Sequence, residues 1–246
     1  MLDGRLSSRT GLDQPSAGQR SGYAATRARV ETYFDKTATQ TWERLTSDAP
    51  VSKIRETVRA GRDRMRALIL SRLPQDLRGQ RVLDAGCGAG QMTQALAERG
   101  AQVLAVDISP SLVKIAQDRL PQPLHNQVAF HAGDMLDPDL GGFDHVIAMD
   151  SLIYYTADDI GRALARLEPR VQGATVFTVA PRTPLLMAMW YAGKAFPKSD
   201  RSPTMIPHAR DPLARAAKSA GAGRVVRPVE RVTSGFYISE AMETRP

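Results

Sequence analysis

Val82-Leu83-Asp84-Ala85-Gly86-Cys87-Gly88-Ala89-Gly90 decides the fold. Its apolar start reads as a short buried strand, and the glycines open a turn that runs into a helix. Gly86, Gly88 and Gly90 carry no Cβ, so the backbone there can pass close to a ligand. Asp84 stands at the strand's end. The third glycine comes one residue too early for the dinucleotide fingerprint G-x-G-x-x-G.

From this point strand and helix patterns alternate along the chain. Strands are expected at 81–85, 102–107, 127–131, 143–149 and 174–180, and helices near 90–99, 110–119 and 157–168. Ser109 can cap a helix whose first residue is Pro110, where the missing N–H costs nothing. Thr156 with Asp159 has the spacing of a capping box, Asp standing in for Glu. Alternating elements imply a mostly parallel sheet covered on both faces.

Upstream, residues 1–22 are poor in apolar side chains and read as a disordered tail. Residues 24–34 and 38–46 read as helices that carry Tyr33, Phe34 and Trp42, and 51–72 as a longer helix rich in arginine. Residues 23–74 thus form a helical extension, or lid, ahead of a main domain at 75–246. Beyond residue 181 an amphipathic stretch, Leu185 to Phe196, precedes a proline-rich loop. Together they form an insertion at about 182–212. Asp211-Pro212 opens a further helix, and strands at about 224–232 and 236–243 close the chain.

The formal net charge of +7 is unevenly spread. Residues 1–81 hold 16 Lys/Arg against 9 Asp/Glu, residues 82–180 hold 6 against 12, and residues 181–246 hold 11 against 5. An acidic centre lies between basic flanks, which would attract an anionic substrate or surface. The single cysteine, Cys87, excludes disulfides within the chain and fits a reducing, cytoplasmic setting. It is expected to be a small buried filler of the glycine turn. His125, His131, His145 and His208 show no ligand spacing, so no protein metal site is expected. No stretch approaches the ~20 apolar residues of a membrane span.

The glycine turn with its acid resembles motif I of the class I S-adenosylmethionine (SAM) methyltransferases. That resemblance implies a Rossmann-like α/β fold: seven strands, mostly parallel, the last antiparallel, with helices on both faces. It also implies a cofactor site. Gly86, Gly88 and Gly90 would lie against the methionyl part of SAM, near Asp84. Asp107, at the second strand's end beside Ile108, would accept from the ribose hydroxyls. Asp134 would accept from the adenine amine while Met135 packs on the ring, and Asp150 would complete the pocket.

The place after the fourth strand reads Asp150-Ser151-Leu152-Ile153-Tyr154-Tyr155. It lacks the Asn/Asp-Pro-Pro-aromatic motif of adenine methyltransferases, and no cysteine outside the glycine turn serves cytosine-C5 chemistry. No nucleic-acid substrate is expected. From about residue 28 the chain resembles the magnesium-protoporphyrin IX O-methyltransferase family. The matching stretches are Val30-Glu31-Thr32-Tyr33-Phe34-Asp35 with Trp42-Glu43-Arg44, then Val82 to Gly90, then Met149 to Tyr155. Trp190, Gly193-Lys194, Phe196-Pro197, Arg201-Ser202-Pro203 and Phe236-Tyr237 match as well.

The resemblance implies methylation of a propionate carboxylate of Mg-protoporphyrin IX, with magnesium arriving only inside the substrate. A propionate has a free pKa near ~4.3, so it is already ionised and nucleophilic at neutral pH. Holding it in line with the methyl–sulfur bond can supply roughly 7–11 kcal/mol of the barrier. Many relatives carry His-Tyr where this chain has Tyr154-Tyr155, so a histidine base is absent. Tyr33 and Tyr154 are the expected catalytic residues. Trp190, Tyr191 and Phe196 are expected to pack on the macrocycle, and Arg201 to meet a carboxylate. The implied partners are the porphyrin, the large porphyrin-binding subunit of magnesium chelatase and, through basic flanks and the 185–196 segment, the surface of a photosynthetic membrane. Two other readings stay open: a methyltransferase for another small hydrophobic acceptor, and a non-catalytic SAM- or porphyrin-binding scaffold.

Overall fold

The computed structural model describes residues 17–35, 53–194 and 204–246. Phe196, Arg201 and the helix expected at 38–46 lie outside the described residues. In chain order the elements are α1 (Ala17–Tyr33), α2 (Lys53–Ser71), β1 (Arg81–Ala85), α3 (Gln91–Glu98), β2 (Gln102–Asp107) and α4 (Pro110–Arg119). Then come β3 (Val128–Ala132), β4 (His145–Ala148), α5 (Ala157–Leu167), β5 (Thr175–Pro181) and α6 (Pro184–Lys194). The last elements are β6 (Pro207–His208), α7 (Arg210–Ser219), β7 (Arg227–Ser234) and β8 (Tyr237–Thr244).

Strands join in the order β3-β2-β1-β4-β5-β8-β7, and the two-residue β6 pairs with β5 off this path. β1 to β5 run parallel, while β8 runs antiparallel to both β5 and β7. The order reverses between β1 and β4, which is where an open α/β sheet forms a ligand crevice at its strand carboxyl ends. The expected strand count of seven rises to eight through β6, too short to read from sequence.

Successive side chains of a strand point to opposite faces, and both faces are covered. Leu83 and Ala85 of β1 join Ile160, Leu164 and Leu167 of α5 and Leu213 of α7 in one core layer. Val82 joins Met65 and Ile69 of α2 and Leu96 of α3 in the other. A third cluster, Val30, Phe34 and Leu112, lays α1 against α4, with Tyr33, Ile108 and Tyr154 packed on it.

The predicted caps form. The Ser109 side chain accepts from the Leu112 amide with Pro110 at the first helical position. Thr156 accepts from the Asp159 amide and its hydroxyl donates to the Asp159 carboxylate at 2.7 Å. One boundary needs correction: α1 begins at Ala17, so residues 17–22, read as part of the tail, are helical. Its polar sequence conceals a helix whose few apolar and aromatic residues are used for docking. No described helix is long and apolar enough to cross a membrane.

Candidate active site

At the carboxyl ends of β1, β2 and β4 opens a cleft whose empty space, including the part open to solvent, is about 980 Å³. Its walls come from the glycine turn, the ends of β2 and β4, the Gly133–Met135 turn, α2 and α1. Asp84, Gly86, Gly88, Asp107, Ile108, Met135 and Asp150, all expected from sequence, line it.

Gly86, Gly88 and Gly90 all have positive φ, at 86°, 54° and 85°. They do different things. A Cβ on Gly86 would lie 2.3 Å from Ser151 Cβ, so this glycine lets the loop after β4 close on the turn. A Cβ on Gly88 would meet nothing within 4 Å, so this glycine leaves a cradle on the cleft side. Gly90 does not line the cleft. It starts α3 in a left-handed conformation and packs on Ala116, between Ala89 and Gln91, which do line the cleft.

Asp107 ties the turn to β2. Its Oδ2 accepts from the Gly88 amide at 2.8 Å and its Oδ1 from the Ser109 amide at 2.9 Å. Each oxygen keeps a further lone pair for a diol, since a carboxylate has about four acceptor sites. Asp84 is buried beneath the turn and accepts from Thr93 Oγ1 at 2.5 Å. Burial pushes its carboxyl up to about 7, the Thr93 bond opposes this, and the Asp107 charge adds to it. Burial also drives the Cys87 thiol well up, with Asp107 and Asp84 reinforcing it. Cys87 is thus a packed, unreactive filler.

Asp134 is held from the α1 side. It is not among the residues lining the cleft. Its Oδ1 accepts from the Tyr23 hydroxyl and the Leu136 amide, each at 2.9 Å, and its Oδ2 from Arg27 at 2.9 Å. The carboxylate expected to read adenine is engaged by α1, while its neighbours Gly133 and Met135 line the cleft. Asp150 adopts φ 57° and accepts from Arg62, Tyr237 and Thr178. Tyr23, Arg62, Arg66, Ser151 and Tyr155 also line the cleft or close it, and none was singled out from sequence. Arg62 and Arg66 were legible only as members of an arginine-rich helix, and Ser151 and Tyr155 only as part of the stretch after the fourth strand.

The chain matches a family model described as magnesium-protoporphyrin IX methyltransferase C-terminus over residues 148–246, and a methyltransferase-domain model over 82–171. It is 61% identical to the magnesium-protoporphyrin O-methyltransferase of Rhodobacter capsulatus over 227 residues, 92% of this chain and 99% of that protein. The chain belongs to the magnesium-protoporphyrin O-methyltransferase family. Among more distant members, the Synechocystis protein of that name is 28% identical over 87% of this chain and 94% of its own. The crystal structure of the Synechocystis magnesium protoporphyrin IX methyltransferase with bound SAH superposes with a TM-score of 0.75 at 26% identity, covering 89% of this chain and all of that one. The fold is that of the class I SAM-dependent methyltransferases.

For a magnesium-protoporphyrin O-methyltransferase, the two expected catalytic tyrosines meet the cleft unequally. Tyr154 lines it and contacts Phe34 edge-on, ring centroids 6.0 Å apart. Tyr33 does not line it; the ring is half-buried in the α1 cluster, edge-on to Phe34 at 5.2 Å. Trp190 and Tyr191 stand on α6, edge-on to each other at 5.1 Å, outside the cleft lining, and Tyr191 is exposed. Among the described residues there is no cluster of three or more groups able to hold a metal ion.

Proposed function

We propose that this protein transfers the methyl group of SAM to a propionate carboxylate of Mg-protoporphyrin IX, yielding the monomethyl ester used in (bacterio)chlorophyll synthesis. The observation that carries this reading is the 61% identity to the Rhodobacter capsulatus enzyme over nearly all of that protein's length. The cleft supports it: the open cradle at Gly88 and the acceptor capacity of Asp107 suit a nucleoside cofactor. When bound, SAM supplies an activated methyl group.

The chain's own part is to hold, orient and exclude water. Burial and the Asp150 charge push the Tyr154 hydroxyl well above its usual value, so it stays protonated at neutral pH. It therefore serves as a donor to a propionate oxygen, not as a base. None is needed, because the propionate is ionised already. Tyr33 is assigned the same role from the α1 side. Trp190, Tyr191, Phe196 and Arg201 are assigned to the macrocycle and its carboxylates.

Peripheral membrane contact and porphyrin delivery by the large chelatase subunit extend the reading. Leu185 and Met205 are 55% and 42% exposed, and Arg182 lies close by in sequence. Flotation with anionic vesicles should show salt-sensitive binding, and the chelatase subunit should lower the porphyrin KM. The deciding experiment is turnover of labelled SAM against an acceptor panel. Esterification of Mg-protoporphyrin IX is expected; methylation only of a quinone or another acceptor would overturn the proposal, and no turnover at all would favour a scaffold.

A further inference from the structure

Three residues far apart in sequence, Arg62, Thr178 and Tyr237, converge on Asp150 at the cleft wall. Arg62 of α2 donates to Asp150 Oδ2 at 2.8 Å, with side chains only 17% and 9% exposed. The Tyr237 hydroxyl of β8 donates to Asp150 Oδ1 at 3.1 Å, and Thr178 Oγ1 of β5 donates to it at 3.2 Å. The Asp150 amide donates to Thr178 Oγ1 at 2.7 Å. Among the described residues Asp150 is the one non-glycine with positive φ. Such a conformation costs of order 1–3 kcal/mol and persists only where its surroundings over-determine it. The fit to α2 is close, since a Cβ on Gly61 would lie 2.6 Å from the Tyr237 ring. One turn further, Arg66 also lines the cleft and pairs with Asp63 at 2.6 Å. Both arginines of the wall thus have a carboxylate of their own.

We infer that the Arg62–Asp150 pair is a charge-balancing element for methyl transfer to a carboxylate: it lets the cleft wall of α2 face an anionic acceptor with both of its lining arginines already paired with carboxylates. The inference rests on the function proposed above. In that reaction a carboxylate oxygen forms the bond to the methyl carbon while the methyl–sulfur bond breaks and its electron pair stays on sulfur. The negative charge of the acceptor and the positive charge of the sulfonium vanish together, and no proton moves. A bare guanidinium beside the carboxylate would attract it most before transfer and progressively less as the oxygen loses charge. Arg62 is only 17% exposed, so that attraction is screened less than at the open surface. It would deepen the ground state more than the transition state and raise the barrier. A guanidinium already paired with Asp150 avoids this. Tyr237 and Thr178 are positioning residues that act by fixing Asp150.

Asp150→Asn is the informative variant, because Asn tolerates the left-handed backbone better than most residues while the charge is removed. The Kd for Mg-protoporphyrin IX, measured in the SAH complex, should fall about fivefold, and the single-turnover rate should fall about tenfold. The double variant Asp150→Asn/Arg62→Gln should recover most of that rate, since the two changes couple. Arg62→Gln alone leaves a buried carboxylate facing the acceptor and should raise the porphyrin Kd about tenfold, whereas Arg62→Lys should stay within about threefold of wild type. An unchanged or higher porphyrin Kd in Asp150→Asn, or no recovery in the double variant, overturns the inference. If Asp150→Asn does not fold, the two Arg62 variants decide, and an unchanged porphyrin Kd in Arg62→Gln overturns it. Failure of the wild-type protein to esterify Mg-protoporphyrin IX would overturn the underlying function instead.

Discussion

The hydroxyl of Tyr23 donates to Asp134 Oδ1 at 2.9 Å, joining α1 to the end of β3 across 111 positions of sequence. The same ring stacks on Tyr155 with centroids 5.0 Å apart, and Arg27 reaches the other Asp134 oxygen. The far end of α1 is tied down by Asp35, whose Oδ1 accepts from Ser111 Oγ at 2.6 Å. α1 therefore closes one side of the cleft through contacts at both of its ends.

Tyr23→Phe combined with Arg27→Gln should loosen that closure. A part-buried hydrogen bond and a half-exposed ion pair together are worth about 1–2 kcal/mol, or roughly a tenfold rise in the open population. Tryptic cleavage after Arg29 should speed up by about that factor, and saturating SAH should slow it again. An unaltered cleavage rate would show that α1 is held by its apolar contacts alone.

Asp84 sets a pH dependence whose sign is fixed by its burial. Its carboxyl titrates at about 7 in the fold, against ~3.9 in a free chain. The folded protein thus binds this proton more tightly than the unfolded one, and the stability it contributes falls as pH rises from about 4 to about 7. A cation bound nearby favours the ionised form. Affinity for SAM should therefore rise between about pH 6 and 8, with proton release seen by calorimetry in buffers of different ionisation enthalpy. Asp84→Asn should flatten the profile, and a slope that survives this change would assign the titration elsewhere.

Gly86→Ala and Gly88→Ala should separate packing from binding. Both pay about 1–2 kcal/mol for an L-residue in a left-handed conformation. Only Gly86→Ala also drives a methyl group to 2.3 Å from Ser151 Cβ. Thermal melts should therefore show a large loss for Gly86→Ala and a small one for Gly88→Ala. Gly88→Ala, whose methyl points into the open cradle, should lose SAH affinity by about tenfold or more. Equal loss of stability in the two would contradict the distinction.

Tyr154→Phe should lower kcat by about 10–100-fold with little change in SAH affinity, as expected for a lost hydrogen bond to the acceptor. Tyr33→Phe should have a smaller effect in the same direction. Trp190→Ala should raise the porphyrin KM and leave SAH binding intact. Loss of both affinities in Trp190→Ala would point to a folding role for α6.

Much of the sheet was legible because a buried strand announces itself locally. β1, β2 and α4 fall at their predicted bounds, since alternation, glycine turns and caps are short-range signals. Glycine and acid at strand ends likewise marked one wall of the cleft, because the chain direction dictates which end faces the ligand. The opposite wall was not legible. Arg62, Tyr237 and Tyr23 sit in segments whose pattern identifies a helix or strand but not its distant neighbour. The partners of Asp134 and Gly90, Tyr23 and Ala116, were hidden for the same reason: they are contacts of the assembled fold.

The sequence by itself determined the order of strands and helices, the glycine turn and the family. These depend on residues near one another in the chain or on motif order. Only the tertiary structure decided which charges are cancelled at the cleft wall. It also decided that α1 takes the carboxylate of Asp134 and that at Gly86 the glycine turn and the loop after β4 must touch. Those outcomes depend on distances between segments dozens of residues apart, and burial changes the energy of a charge only once such distances are set.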